Sequence, residues 1–241
     1  MAAIVTINLS KTYGDFYAVK SLNLKIKQGE LFSLLGLNGA GKTTIIKMLA
    51  CLIEPSSGDA VILGDSIKSN PQAIKQKINI SPQETAVAPN LTVKENLELI
   101  AGLYGLDKDI AKKSALEMAM QFGIEDVYTK KAKILSGGMQ RRLSLAMALI
   151  SKPKIIFLDE PTLGLDVIAR RELWKAIEAL KGKITIFMTT HYLEEAEALS
   201  DRVGIIKSGE LAALGTVLDL KQQTNTKSLE DAFIVLSGGA L

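Results

Sequence analysis

The sequence from Leu31 to Thr44 reads LFSLLGLNGAGKTT, an apolar run followed by a glycine-rich turn and a lysine. Leu31–Leu35 is typical of a parallel strand that is buried on both faces, and Thr43–Leu52 has a helical pattern. The turn between them fits the pattern G-x-x-x-x-G-K-[ST]. Glycines let the backbone wrap around phosphate oxygens, and the start of a helix presents unpaired N–H groups and the positive end of a dipole. The turn is therefore predicted to bind the phosphates of a nucleotide.

Individual positions of this turn have distinct predicted roles. The Lys42 ammonium would lie between the β- and γ-phosphates, and the Thr43 hydroxyl would ligate Mg²⁺. The whole predicted phosphate site comprises Asn38, Gly39, Ala40, Gly41, Lys42, Thr43 and Thr44. An ordinary glycine-rich turn is the alternative, but the strand before it and the helix after it argue against that interpretation. The motif alone indicates only a P-loop nucleotidase, a class that includes kinases, GTPases and many motors.

A pair of carboxylates follows a second apolar run. Ile155–Leu158 has the pattern of a buried strand, and Asp159 and Glu160 come directly after it. Asp159, at the end of a strand beside the phosphate site, can hold Mg²⁺ through water. Glu160 projects one residue further on, where a base could orient the attacking water. In isolation the pair could equally be a helix N-cap or a solvated turn, and Pro161 suits that alternative. Beside a phosphate-binding loop, the functional interpretation is favoured.

Composition restricts the class of protein further. The 241 residues, 47% of them hydrophobic, fit one large domain or two small fused ones, and the net charge is only +3. Basic pairs such as Arg141-Arg142 are predicted to be solvated helix faces, too dispersed for a nucleic-acid partner.

Cys51 is the only cysteine, which excludes an intrachain disulfide and suggests a reducing compartment. Its apolar neighbours predict a buried, inert thiol. The N-terminus lacks a signal-peptide pattern, and no apolar stretch approaches the roughly 20 residues that span a bilayer. Other chains are expected to do the spanning.

The periodicity changes along the chain. Strand patterns occur before Pro89 and again from Ile155 onwards, whereas residues 93–150 are mainly helical. A last hairpin is predicted to pair Val203–Lys207 with Glu210–Leu214. These patterns predict an α/β core interrupted by a helical insertion.

A third motif, Leu135-Ser136-Gly137-Gly138-Met139, resembles the LSGGQ signature of ABC ATPases, and it precedes Asp159 by a short helix as in that family. Ser136, Gly137 and Gly138 open a helix, so they form a second helix N-terminus that could bind an anion. One chain cannot easily bring both N-termini to one nucleotide. The resemblance implies that two subunits, arranged head-to-tail, sandwich two ATP molecules.

The resemblance also implies roles for four further residues. Tyr13 corresponds to the aromatic residue that stacks on adenine, and Gln83 to the glutamine that reaches the metal and the water and senses the membrane subunit. Asp166 corresponds to the aspartate at the dimer seam. His191, the only histidine of the chain, corresponds to the switch residue that contacts the γ-phosphate. Glu160, His191 and Gln83 would be catalytic, and Thr43, Gln83 and Asp159 would be the metal site.

The resemblance covers essentially the whole chain and implies its fold. It implies a P-loop NTPase core with a parallel central sheet, an N-terminal antiparallel β subdomain and an inserted α-helical subdomain. Within a single domain, 1–241, the core would comprise 1–84 and 151–220. The helical signature subdomain would comprise 85–150, and 221–241 would form a helical tail.

The implied function is ATP-driven transport through separate transmembrane subunits, with export favoured. The segments 190–196 and 228–238 are most similar to bacterial drug, lipid and polysaccharide exporters of the type-2 class. Alternatively, Leu229, Phe233 and Leu236 of the tail merely pack as a helix stripe. Two positions differ from the family pattern. Met139 replaces the usual glutamine of the signature motif, and Leu163-Gly164 replaces the Ser-Ala that is common in the loop containing Asp166.

The resemblance further implies a location on the cytoplasmic, inner face of the cell membrane. A homodimer is expected, because every site element is intact. Two other functions are alternatives for an ABC-like sequence, one on nucleic acid and one as a scaffold, and the residues argue against both. ABC ATPases that act on nucleic acid carry long coiled-coil insertions or tandem domains, whereas only about 90 residues separate Lys42 from Ser136. Glu160 and His191 argue against a nucleotide-dependent scaffold that seldom hydrolyses ATP. The cargo is not predicted, since the membrane subunit selects it.

Overall fold

A computed structural model describes residues 1–239, which form two β-sheets and the helices that flank them. The strands are β1 (Ala2–Tyr13), β2 (Phe16–Lys27), β3 (Leu31–Leu35), β4 (Ser57–Ile62), β5 (Asp65–Ser66), β6 (Ile78–Ser81), β7 (Ile155–Asp159), β8 (Thr185–Thr190), β9 (Arg202–Lys207) and β10 (Glu210–Gly215). The α-helices are α1 (Lys42–Leu49), α2 (Pro71–Lys75), α3 (Val93–Leu103), α4 (Lys108–Gln121), α5 (Gly137–Leu149), α6 (Val167–Glu178), α7 (Leu193–Leu199), α8 (Val217–Thr224) and α9 (Leu229–Leu236).

The larger sheet has six strands in the order β10-β9-β3-β8-β7-β6, all parallel except β10. Every residue of β3, β7 and β8 is buried, which explains their largely apolar runs. Leu35 is in register with Thr190, and Asp159 with Thr189. The C-terminal ends of β3, β7 and β8 therefore share one edge of the sheet. This edge carries the glycine-rich turn, both carboxylates and His191.

The smaller sheet is antiparallel, in the order β2-β1-β4-β5. Alternate residues of β2, such as Leu22 and Leu24, are buried, as the alternating pattern predicts. They belong to a core that also contains α1 and part of the larger sheet. In this core Phe187 packs between Phe32 and Phe157, with ring centroids 5.4 and 5.8 Å apart. Helix α1, which follows the glycine-rich turn, therefore packs against a well-packed apolar core.

Helices α3, α4 and α5 lie between β6 and β7 in the chain and share a second apolar core. Helix α3 begins with a capping box, in which Glu95 N donates to Thr92 Oγ1 (3.1 Å) and Thr92 N donates to Glu95 Oε2 (2.7 Å). The predicted α/β core with an antiparallel β subdomain and a helical insertion is confirmed.

The structure corrects one helix boundary and one burial prediction. Helix α1 ends at Leu49 rather than Leu52, because Cys51 adopts a left-handed conformation with φ 56°. Cys51 N donates to Met48 O (3.0 Å) and Leu52 N donates to Lys47 O (2.8 Å), which is the Schellman pattern of a helix end. The prediction of a buried thiol is wrong, since Cys51 is half-buried. Partial burial still raises the pKa of the thiol.

The C-terminal segment packs on the edge of the larger sheet. The predicted hairpin is confirmed, as β9 and β10 pair around Ser208-Gly209. The stripe Leu229, Phe233 and Leu236 packs in a small core with residues of β9 and α7. Packing thus accounts for the stripe. The last two residues of the predicted tail, 240 and 241, lie outside the described residues.

Candidate functional site

A cavity of about 530 Å³ opens at the C-terminal edge of β3, β7 and β8. It is lined by residues 38–44 and by Tyr13, Gln83, Glu160 and His191. The structure therefore brings together residues from five separate segments that the sequence analysis singled out. Asp159, Ser136, Gly137, Gly138 and Asp166 do not line this cavity.

The glycine-rich turn requires its glycine next to the lysine. Gly41 has φ 102° and precedes the first turn of α1. A Cβ at this position would lie 2.3 Å from Ala18 O on β2, so any other residue would displace backbone. Lys42 is 6% exposed, and its Nζ donates to Gly36 O (2.6 Å) and Leu37 O (3.2 Å). The ammonium is thus held beside the turn, and α1 directs its first N–H groups toward the cavity.

The Glu160 carboxylate lies between the side chains of Lys42 and His191. Oε1 is 3.1 Å from Lys42 Nζ, and Oε2 is 2.7 Å from His191 Nδ1 and accepts from His191 N at 3.3 Å. Glu160 is 5% exposed and adopts a left-handed conformation with φ 48°. Its N–H donates to Thr189 O (3.1 Å) on β8. A buried carboxylate held by Lys42 at the start of α1 and by His191 after β8 is well placed to accept a proton from a water in the cavity.

Asp159 is the last residue of β7 and directly precedes Glu160, which lines the cavity. It is buried, and Thr189 Oγ1 donates to its Oδ1 at 2.5 Å. Within residues 1–239, no group of three or more His, Cys, Asp or Glu side chains is placed to hold a metal ion. Mg²⁺ is usually bound by one or two carboxylates together with substrate phosphates and water. A site with one carboxylate, the Thr43 hydroxyl and nucleotide oxygens fits these residues.

The signature segment opens helix α5, as the sequence predicted. Ser136 is the N-cap of α5, where its Oγ accepts from Met139 N (3.2 Å). A Cβ on Gly138 would lie 2.7 Å from Ala169 Cβ, so the glycine allows α5 to pack against α6. Asp166 caps α6, because its Oδ1 accepts from the N–H groups of residues 168 and 169, each at 2.9 Å. Gly137 is exposed.

One prediction about a basic pair is wrong. Arg141 was predicted to lie on a solvated helix face, but it is 4% exposed. It lies three residues after buried Gly138 and four before buried Leu145, so helical spacing places it on the inner face of α5. That spacing is the signal that could have identified it. Arg142, by contrast, is half-buried.

A second buried carboxylate behind the site was also missed. Glu195 on α7 is fully buried, and its Oε1 accepts from Trp174 Nε1 at 3.2 Å. Burial raises the pKa of Glu195, and the neighbouring hydroxyls of Thr190 and Thr162 oppose this rise in part. The helical pattern offered a signal here too, because Glu195 precedes buried Leu199 by one helical turn.

The fold and the cavity define a P-loop nucleotide-binding domain. Residues 19–163 match the family described as ABC transporter, and the chain belongs to that family. The probable multidrug ABC transporter ATP-binding protein YbhF of Escherichia coli is 39% identical over 234 residues. That match covers 95% of this chain but only 40% of YbhF. The linearmycin resistance ATP-binding protein LnrL of Bacillus subtilis is 39% identical over 237 residues, which cover 95% of this chain and 76% of LnrL.

Solved structures agree with the family. An ATP-binding subunit of an ABC transporter superposes with a TM-score of 0.86 at 28% identity, covering 98% of this chain and 99% of that one. The cassette MJ0796, a dimer bound to ADP and Pi in a post-hydrolysis state, superposes with a TM-score of 0.80 at 30% identity, covering 89% of this chain and 98% of that one. The predicted membership of the ABC transporter family is confirmed, and so is the likeness to ATP-binding proteins named for multidrug transport or drug resistance. Among residues 1–239, no helix has the length and hydrophobicity to cross a bilayer.

Proposed function

We propose that this chain hydrolyses ATP to drive export through separate transmembrane subunits. The observation that carries the proposal is the Glu160 carboxylate, which lies 3.1 Å from Lys42 Nζ and 2.7 Å from His191 Nδ1 in a cavity lined by the glycine-rich turn. A base, a cation for the phosphates and a histidine thus converge where the γ-phosphate of a bound nucleotide would lie.

The proposed reaction is attack of water on the γ-phosphate, in which a new O–P bond forms inorganic phosphate while the bond to the bridging β-phosphate oxygen breaks and ADP leaves. The N–H groups at the start of α1 and the Lys42 ammonium bind the phosphates, and Tyr13 stacks on the adenine. Glu160 takes a proton from the attacking water, and His191 holds the carboxylate through its ring and its backbone N–H. Mg²⁺, when bound, neutralises phosphate charge. Thr43, Gln83 and Asp159 would hold it.

We propose that the complete site forms between two copies of the chain. Ser136, Gly137, Gly138 and Asp166 lie away from the cavity of their own chain and would face the nucleotide of the other. The exposed start of α5 at Gly137 supports this arrangement, since a helix N-terminus binds anions. The proposed dimer is a homodimer with two active sites.

The proposed partners are integral membrane subunits, and the proposed location is the cytoplasmic, inner face of the cell membrane. Relatives named for resistance to linearmycin and to doxorubicin support drugs as the cargo class. Segments 1–84 and 151–220 are proposed as the nucleotide-binding core, with 85–150 as the helical signature subdomain and 221–241 as the tail.

Replacement of Glu160 tests the proposal. Glu160→Gln keeps the shape of the side chain but removes the base, so ATP turnover should fall by about 10²–10⁴-fold while ATP binding persists. Glu194→Gln is the matched control, because Glu194 is 83% exposed and lies outside the cavity. Turnover is measured by phosphate release, and binding by titration calorimetry. Turnover of Glu160→Gln equal to that of the control would refute the assignment.

A further inference from the structure

Arg141 uses its whole hydrogen-bonding capacity on backbone carbonyls. Its acceptors are Pro161 O (2.6 Å) for Nε, Pro82 O (2.6 Å) and Gln83 O (2.9 Å) for Nη1, and Asp159 O and Glu160 O (both 3.0 Å) for Nη2. A guanidinium group has five N–H donors, and five carbonyls accept from this one. This complete match satisfies a charged side chain that is only 4% exposed, and it ties the guanidinium to these five carbonyls.

These five bonds join three segments of the proposed machinery. Arg141 itself lies on α5, the helix that begins at the signature residue Ser136. Nη1 contacts the segment that contains Gln83, directly after β6, and Nε and Nη2 contact residues 159–161 around Glu160. One side chain thus contacts the segments of the proposed base and the proposed metal-contacting glutamine.

The charges around Arg141 favour a permanently charged group at this position. Burial lowers the pKa of Arg141, whereas the carboxylates of Asp159, Glu195 and Glu160 oppose that change. A lysine would bring the same charge but only three donors at one point, so it could not reach carbonyls on both segments. The planar guanidinium is the group that satisfies this geometry.

We infer that Arg141 is a positioning residue, which holds Glu160 in its left-handed conformation and links it to the Gln83 segment. Three consecutive carbonyls, those of residues 159–161, face one guanidinium, and this fixes the backbone that directs the Glu160 carboxylate into the cavity. Movement of the Gln83 segment would then displace Glu160. The catalytic part of this inference rests on the proposed function, but the link between the two segments does not.

Hydrogen exchange on the nucleotide-free chain tests the link directly. Arg141→Lys should accelerate amide exchange in peptides covering residues 83–88 and 160–165, by about tenfold or more, because both segments lose their shared contact. Arg142→Lys is the matched control. Arg142 is adjacent on the same helix, but it donates to Phe122 O and Gly123 O, away from the cavity. Exchange unchanged in both peptides, or equally accelerated by the control, would overturn the inference.

Kinetics separate positioning from a merely structural role. Arg141→Lys should lower kcat by about 10–100-fold, because a displaced base acts poorly, while KM for ATP changes by less than about threefold. The glycine-rich turn and Lys42 receive no bond from Arg141, so nucleotide binding should persist. A parallel loss of kcat and affinity would overturn the positioning role. Were wild-type ATPase activity absent, the proposed function would fail while the exchange result still tested the link.

Folding of the variants is checked by circular dichroism and thermal unfolding. Arg141→Met, which keeps a long apolar stem but no donor, is the second variant and should show faster exchange than Arg141→Lys in the same two peptides. If neither Arg141 variant folds while Arg142→Lys and Arg142→Met do, Arg141 is a structural residue and the inference is overturned.

Discussion

Gly137 and Gly138 are adjacent in the signature segment, yet their surroundings differ. A Cβ built on Gly138 would lie 2.7 Å from Ala169 Cβ on α6, whereas a Cβ on Gly137 would have no other heavy atom within 4 Å. Gly138 is buried and Gly137 is exposed. We therefore expect Gly138→Ala to be clearly less stable than Gly137→Ala, although each adds a single methyl group.

The expected difference follows from the contact distance. Non-bonded carbon atoms approach to about 3.5–4.0 Å, so α5 and α6 would have to separate by roughly 1 Å. Overpacking of this kind costs about 1–3 kcal/mol. Alanine is favoured over glycine in a helix by about 1 kcal/mol, and this gain applies to both variants. The free energies of unfolding should therefore differ by about 1–3 kcal/mol, or about 2–12 °C in Tm for a chain of this size.

Urea unfolding of both variants and of a double mutant measures this difference. The double mutant combines Gly138→Ala with Ala169→Gly, which removes the opposing methyl group. In the Ala169→Gly background, Gly138→Ala should cost no stability. Two results would refute the reasoning: equal midpoints for Gly137→Ala and Gly138→Ala, or an undiminished cost of Gly138→Ala after Ala169 is replaced. Gly137→Ala should instead lower ATPase activity, since Gly137 is proposed to face the partner's nucleotide.

Three further predictions concern the nucleotide, the dimer and acid stability. Tyr13 is 52% exposed and lines the cavity, so Tyr13→Ala should weaken ATP binding by about 1–3 kcal/mol in calorimetry; Tyr13→Phe should be nearly neutral, and equal losses would indicate a hydroxyl bond instead. On a Cys51→Ser background, separately purified Asn38→Cys and Ser136→Cys chains should be joined by a short bis-maleimide only when mixed with ATP; a band without nucleotide contradicts the sandwich. Capping hydrogen bonds lower the pKa of Glu95 from its ordinary value of 4.5, so its stabilising contribution is complete above that pH and is lost as the pH falls through the lowered pKa. In thermal unfolding, the Glu95→Gln variant should therefore lose less stability on acidification than the unmodified protein. An identical loss would contradict this.

Sequence patterns predicted the secondary-structure elements that depend only on residues close together in the chain. The strand, turn and helix at Leu31–Leu49 follow from an apolar run, a glycine pattern and a helical period, and the hairpin β9–β10 follows from alternation around Ser208-Gly209. Strand β6 was missed, because Ile78–Ser81 has only four residues and half of them are polar. It forms since β7 pairs with it in register. Strand β1 was missed too, and its register shifts against β2 interrupt the alternation that would have indicated it.

The class of chemistry follows from the amino-acid sequence alone, because a phosphate-binding loop such as 36–43 needs particular residue types at fixed short spacings. Which functional groups meet depends on the tertiary structure. It placed Glu160 between Lys42 and His191, and it buried Arg141 against Gln83, which lies 58 residues away in the chain. A periodic pattern reports which face of an element is buried, whereas the partner of a buried polar group depends on how the sheet brings distant strand ends to one edge. Helical spacing places Arg141 rather than Arg142 on the buried face of α5, but only the folded chain shows that the partners of Arg141 are the backbone carbonyls around Gln83 and Glu160.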